Sequence, residues 1–114
     1  MKSFAQYQQE IYEINLANGW FDGDRTVGDD IALLHSEVSE AFEAFRSDGL
    51  EDMTASEGKD GRPPKPEGFG SELADVLVRL LDTCQRTGID LESELERKIA
   101  YNKTRGYRHG NKRV

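Results

Sequence analysis

This sequence predicts an all-α fold, a four-helix-bundle-like arrangement with a long connection between the second and third helices. Three observations carry that reading. Apolar residues recur at helical spacing in four separate stretches, and no alternating run of strand length appears. Cap-forming residues and glycines bracket those stretches. All three prolines, Pro63, Pro64 and Pro66, fall in one segment, residues 47–70, which leaves the helical stretches free of proline.

The first helix is expected over residues 3–18, where Phe4, Tyr7, Ile11, Ile14 and Leu16 form an imperfect apolar stripe and Gly19 is a natural stop. A loop holding Trp20 and Phe21 follows. The second helix is expected over residues 29–46, with Ile31, Leu34, Val38, Phe42 and Phe45 at helical spacing and Ala41 beside them. Residues 47–70 hold five glycines besides the prolines and read as a loop or insertion, either a lid or binding loop or else a disordered segment. Ser71 is the expected cap of a third helix over residues 72–86, whose apolar face is Leu73, Val76, Leu77, Leu80, Leu81 and Cys84. Gly88 closes it. Asp90 caps a fourth helix over residues 91–104, with Glu92 in its first turn, where the helix dipole favours a negative charge.

At 114 residues the chain reads as a single domain with a modest core, a size at which oligomerisation would aid stability. No apolar run approaches the roughly 20 residues that span a bilayer, and residues 1–7 lack the apolar stretch of a signal peptide. A cytoplasmic location is the resulting expectation. Cys84 is the only cysteine, so no internal disulfide is available. Net charge is −7, yet no acidic side chain follows Glu96, and residues 105–114 form a basic tail. An acidic body argues against binding to a nucleic-acid polymer, which rewards a basic face. A local basic stretch beside carboxylates suits a small phosphorylated ligand, or simply a solvated C-terminus.

The chemistry concentrates in two motifs, Glu37-Val-Ser-Glu40 and Glu72-Leu-Ala-Asp75. Residues three apart are neighbours on a helix surface. Two such helices side by side would gather four carboxylates, which repel one another unless a cation sits among them. Carboxylate oxygens suit hard divalent ions such as Mg²⁺ or Mn²⁺. Either ridge alone also fits an ordinary solvent face. Asp75 sharpens the matter, because a mid-helix Asp in apolar surroundings calls for a partner. A metal would serve, and so would Arg79 at i+4.

The runs at residues 33–46 and 70–82, with Lys98-Ile-Ala-Tyr-Asn-Lys-Thr-Arg105 after them, resemble the MazG-like all-α nucleoside triphosphate pyrophosphohydrolases. The resemblance covers roughly residues 28–46 and 69–112. The gap between Glu40 and Glu72 is longer than is usual in that family, and an insertion carrying Lys59, Arg62, Lys65 and Glu67 fills it. The resemblance implies a MazG-type fold in which Glu37, Glu40, Glu72 and Asp75 hold Mg²⁺. It also implies attack of an activated water on a nucleoside triphosphate, giving a monophosphate and pyrophosphate. Glu37 and Glu40 would then be catalytic. Glu43, one turn further on, would orient or deprotonate the water or stand at the surface. A homodimer or homotetramer is implied as well.

Lys98, Asn102 and Arg105 share one helix face and suit phosphate oxygens, although Lys98 also has Glu94 within reach as an ordinary surface partner. Trp20 is a candidate for stacking on the base or for anchoring a core or interface. His35 reads as structural, Cys84 as core, and Asp82 as a cap or a bridge to Arg86. Two further readings stand beside a nucleotide-pool-cleaning hydrolase. One is a related hydrolase acting on phosphoribosyl-ATP. The other is a non-enzymatic helical interaction or nucleotide-sensing module with solvated carboxylates.

Overall fold

The computed structural model describes residues 1–54 and 57–114, without the side chains of residues 52–54. Among the described residues the elements run α1 (Phe4–Ala17), α2 (Val27–Asp48), β1 (Asp52–Thr54), β2 (Pro66–Gly68), α3 (Phe69–Thr87), α4 (Leu91–Asn102) and a short irregular turn, α5 (Arg108–Asn111). The fold is all-α, with the four expected helices in the expected order.

Capping chemistry decides where those helices begin. At α1 the Ser3 hydroxyl accepts from the Gln6 N–H, and the Gln6 side chain accepts from the Ser3 N–H. At α2 Thr26 and Asp29 make the same reciprocal pair, so the helix starts at Val27, two residues before the expected start. It also runs two residues past Arg46, to Asp48, before Gly49 stops it. Asp90 caps α4 as expected, its carboxylate accepting from the Ser93 N–H at 3.1 Å. Ser71 does not cap α3. That helix begins at Phe69 behind Gly68, whose φ of 103° favours glycine, and the Ser71 hydroxyl donates to the Pro66 carbonyl at 3.2 Å instead.

The expected loop at residues 47–70 contains a two-stranded antiparallel ribbon in which Met53 lies opposite Glu67. Strands of three residues are too short to show an alternation pattern, which is why none was legible. Pro66 opens β2, where a missing N–H is tolerated. Residues 55 and 56, part of the same expected loop, lie outside the described residues.

α3 is the central element, with α2 along one flank and α1 along another, while the main contact of α4 is with α1. The α2–α3 pair is antiparallel. Asp30 pairs with Arg86, Glu37 with Arg79 at 3.1 Å, and the Phe45 and Phe69 rings meet at 5.9 Å. The two ion pairs stand one heptad apart and pin the register of the seam. On α2 the face toward α3 follows a 4-3-4-3 spacing: Asp30 and Ala41 are buried, and Leu34, Glu37 and Ala44 are half-buried. Most of the apolar stripe on α2 lies outside that face. Ile31, Val38, Phe42 and Phe45 are 44, 53, 60 and 46 % exposed. The physical reason is that small and charged residues occupy the seam: Ala41 and Ala44 let the helices approach, and Asp30 and Glu37 meet arginines there.

A second polar joint ties the loop after α1 to this pair. Asp82, 5 % exposed, accepts from Asn15 at 3.1 Å and from Arg25 at 3.2 Å. Arg25 Nε also lies 2.7 Å from Asp30 Oδ1, close in charge, though its N–H is not aimed as a hydrogen bond. Arg86 binds Asp30 and donates to the Arg25 carbonyl at 3.3 Å. Asp82 therefore bridges to Arg25 and not to Arg86. Phe21 stacks on Tyr12 at 5.2 Å with both guanidinium groups close to its ring. Two aspartates against two arginines leave the joint electrically balanced, as burial requires.

Candidate metal centre

The α2–α3 seam brings Glu37, Glu40 and Glu72 together: each offers one carboxylate oxygen within 4.8 Å of the others. The antiparallel register does this. With Glu37 opposite Arg79 and Phe45 opposite Phe69, Glu40 and Glu72 fall on facing turns between those two contacts. Glu37 and Glu72 are half-buried and Glu40 is exposed, so the trio has a protein wall behind it and an open side.

The local electrostatics are unbalanced in the direction that favours a cation. The Glu37 carboxylate, through a shared hydrogen bond and then its charge, pushes the Glu40 carboxyl above its ordinary range. Glu72 and Asp75 add smaller pushes of the same sign. Asp75 is raised too, first by burial and then by the Glu37 charge, while Lys65 and Arg79 pull it back. Since Asp75 is exposed as a residue, the desolvation there is modest. Glu72 carries the most telling atom: its Oε2 is buried and meets no hydrogen-bond donor among the described residues. A buried carboxylate oxygen without a partner is costly unless a positive group completes it. Three hard oxygen donors around one such atom fit Mg²⁺ or Mn²⁺.

Arg79 does not pair with Asp75, the i+4 alternative. Its Nε donates to Glu37 Oε1 at 3.1 Å, and its guanidinium lies 5.7 Å from the Trp20 ring centre. Trp20 is 53 % exposed, so it is not a core anchor, and it borders the carboxylates through Arg79. Glu43 lines a cleft of about 430 Å³ together with Glu40, Glu72, Glu67, Gly68 and Lys65. Arg46 holds Glu43 at 2.8 Å.

The expected phosphate-binding residues near the C-terminus stand apart. Lys98 and Asn102 are exposed, and the Arg105 guanidinium lies over the Tyr101 ring at 5.7 Å. None of the three pairs with a carboxylate of the seam; α4, which packs chiefly on α1, carries Lys98 and Asn102 but ends before Arg105, so the three do not share one helix face. Nor does Lys98 take Glu94, which accepts from Arg97 at 3.1 Å. His35 is exposed and Cys84 is buried, where burial pushes its thiol up.

Sequence reasoning missed Arg25, Asp30 and Arg86 as a buried joint, Glu37 as the partner of Arg79, and Lys65 as a cation beside the carboxylates. One signal for the seam was present: Asp30 and Glu37 are seven apart, as are Arg79 and Arg86. No family model, curated protein or solved structure matches the chain.

Proposed function

We propose that this chain is a Mg²⁺-dependent nucleotide pyrophosphohydrolase that converts nucleoside triphosphates to monophosphate and pyrophosphate. The observation that carries the reading is the Glu37–Glu40–Glu72 group, with its unpartnered buried Glu72 oxygen, at the wall of an open cleft. Asp75, one turn along α3 from Glu72, completes the ligand set.

A divalent ion bound there supplies charge neutralisation for phosphate oxygens and activation of water. The chain's own residues supply the rest. Glu37 is held in a fixed orientation by Arg79, so one of its oxygens is oriented toward the seam before any ligand arrives. Glu72 offers a desolvated oxygen that gains most from a cation. Glu40, on the open side, is placed to orient the attacking water, and Glu43 stands next to it once Arg46 lets go. Trp20, beside Arg79 at the other end of the seam and 53 % exposed, is the candidate for stacking on a base. Positioning and charge neutralisation are what phosphoryl transfer chiefly requires.

The reading includes self-assembly. The accessible surface is 8916 Å², about 40 % above the roughly 6300 Å² of a compact monomer of this mass. Half-exposed Val38, Phe42, Leu73 and Leu77 are the surface that a second copy would cover. Lys98, Asn102 and Arg105, remote from the seam within one chain, are candidates for reaching the site of a neighbouring copy.

The test is product identity. Incubated with Mg²⁺ and a triphosphate, the protein should release monophosphate and pyrophosphate, seen directly by phosphorus NMR. Diphosphate plus inorganic phosphate would contradict the assigned bond. Absence of turnover across ribo- and deoxyribonucleoside triphosphates, with Mg²⁺ bound, would favour phosphoribosyl-ATP or a sensing role.

A further inference from the structure

We propose that Lys65, carried by the ribbon inserted between α2 and α3, is a substrate-binding residue that grips the phosphate chain at the end of the α2–α3 seam away from Trp20. The inference rests on the hydrolase reading and specifies which end of the substrate lies where.

Lys65 lines the same cleft as Glu40, Glu43, Glu67, Gly68 and Glu72. Among the described residues it has no ion-pair partner within 4 Å, unlike Arg79, which is engaged with Glu37, and Arg46, which is engaged with Glu43. A lysine that faces carboxylates without clasping any of them keeps its three donors for a ligand.

Its placement is also built rather than accidental. Lys65 stands between Pro64 and Pro66, whose rings fix φ on either side. The strand it leads into, β2, continues without a break into α3, the helix that bears Glu72 and Asp75. The Ser71 hydroxyl ties the first turn of that helix back to the Pro66 carbonyl at 3.2 Å. The Lys65 backbone and the carboxylates therefore belong to one continuous, cross-tied segment.

Order along α3 gives the direction. Lys65 precedes the helix, Glu72 and Asp75 follow in its first turns, and Arg79 lies beyond them against Trp20. From Gly68 to Arg79 the helix rises roughly 16 Å at about 1.5 Å per residue. That is the length scale of an extended nucleoside triphosphate. A base on Trp20 puts the terminal phosphates at Lys65, with the scissile region over the carboxylates. Such a site needs a cation at that end, because Glu40, Glu43, Glu67 and Glu72 alone would repel a polyphosphate. Lys65 thereby favours a triphosphate over a monophosphate.

The test compares the two halves of the substrate on the full chain with saturating Mg²⁺. Calorimetry measures the affinity of pyrophosphate and of a nucleoside monophosphate for wild type, Lys65→Gln and Lys65→Arg. Lys59→Gln, in the same insertion but outside the cleft, serves as control. Lys65→Gln should weaken pyrophosphate about ten- to hundredfold, the scale of one lost charged hydrogen bond. It should leave the monophosphate within about twofold and Mg²⁺ binding unchanged, while Lys65→Arg keeps most of the pyrophosphate affinity. Unchanged pyrophosphate affinity in Lys65→Gln, with wild type binding it, overturns the assignment. Equal weakening of both ligands overturns the direction. Wild type that binds Mg²⁺ but neither phosphate ligand defeats the hydrolase reading itself, and the inference with it.

Discussion

Glu40 and Asp75 both have carboxyls raised above their ordinary range in the folded chain, Glu40 first by the Glu37 carboxylate and Asp75 first by burial. A raised folded-state value means that protonation favours the fold. That contribution is full below the ordinary values, 4.5 for Glu and 3.8 for Asp, and is lost as pH rises through the folded ones. In metal-free solution, Glu40→Gln should therefore melt at or below the wild-type temperature near pH 4. It should melt above it near pH 7, where wild type carries the full repulsion. A melting-temperature difference that stays flat across that range would contradict the electrostatic account of the cluster. Mg²⁺ should reverse the order at neutral pH, since a ligand at a hundredfold excess over its Kd stabilises the native state by about 2.7 kcal/mol. Arg79 presents the complementary case. Arg79→Gln removes the guanidinium from half-buried Glu37, and should cost about 1–3 kcal/mol in metal-free urea denaturation. It should also tighten Mg²⁺ binding, because one counter-charge has left the site. Weaker Mg²⁺ binding would mean that orientation by Arg79 outweighs its charge.

At the scale of elements, the α2–α3 seam and the Asp30–Arg25–Asp82–Arg86 joint hold the carboxylates in register. Removing one member of a buried ionic joint leaves an uncompensated charge and costs about 3–5 kcal/mol. Asp30→Ala should show that loss as a lower urea midpoint with an unchanged slope. A loss below 1 kcal/mol would mean that the joint is solvated and does not fix the register. Much of this level was legible in the sequence. Helical spacing located all four helices, the Asp90 cap behaved as its side-chain chemistry dictates, and Glu37, Glu40 and Glu72 of the two acidic motifs do converge. What was not legible depended on how the helices are rotated. Helical spacing did not say which way Ile31, Val38 and Phe42 face, and α2 turns Asp30, Glu37 and Ala41 toward α3 instead. Charges that are satisfied by specific partners outweighed the apolar stripe, and a single chain's pattern does not reveal partners that arrive from another helix. Lys65 was hidden for a similar reason, since a proline- and glycine-rich segment advertises a loop and not where the loop leads.

The whole molecule is open. Its radius of gyration is 17.1 Å, against about 13 Å for a compact domain of this length, and its buried apolar residues are Ala41, Leu81 and Cys84 among the described residues. No described helix is long and apolar enough to cross a membrane, so a bilayer-spanning helix does not account for the exposed apolar faces. A second copy does. Phe42 is 60 % exposed within one chain, so Phe42→Ser should cost the isolated protomer little, well under the 2–5 kcal/mol of a buried site. In sedimentation it should shift the protein toward monomer. An unchanged oligomer would place the interface elsewhere. The central claim, that the seam carboxylates form a divalent-cation site, is tested most directly by Mg²⁺ and Mn²⁺ titration calorimetry on wild type beside Glu72→Gln. The account predicts saturable binding to wild type that is lost, or weakened at least tenfold, when the half-buried Glu72 carboxylate becomes an amide. Identical isotherms for the two proteins, or no heat of binding in a folded wild type, would contradict it and leave the carboxylates as a solvated acidic face.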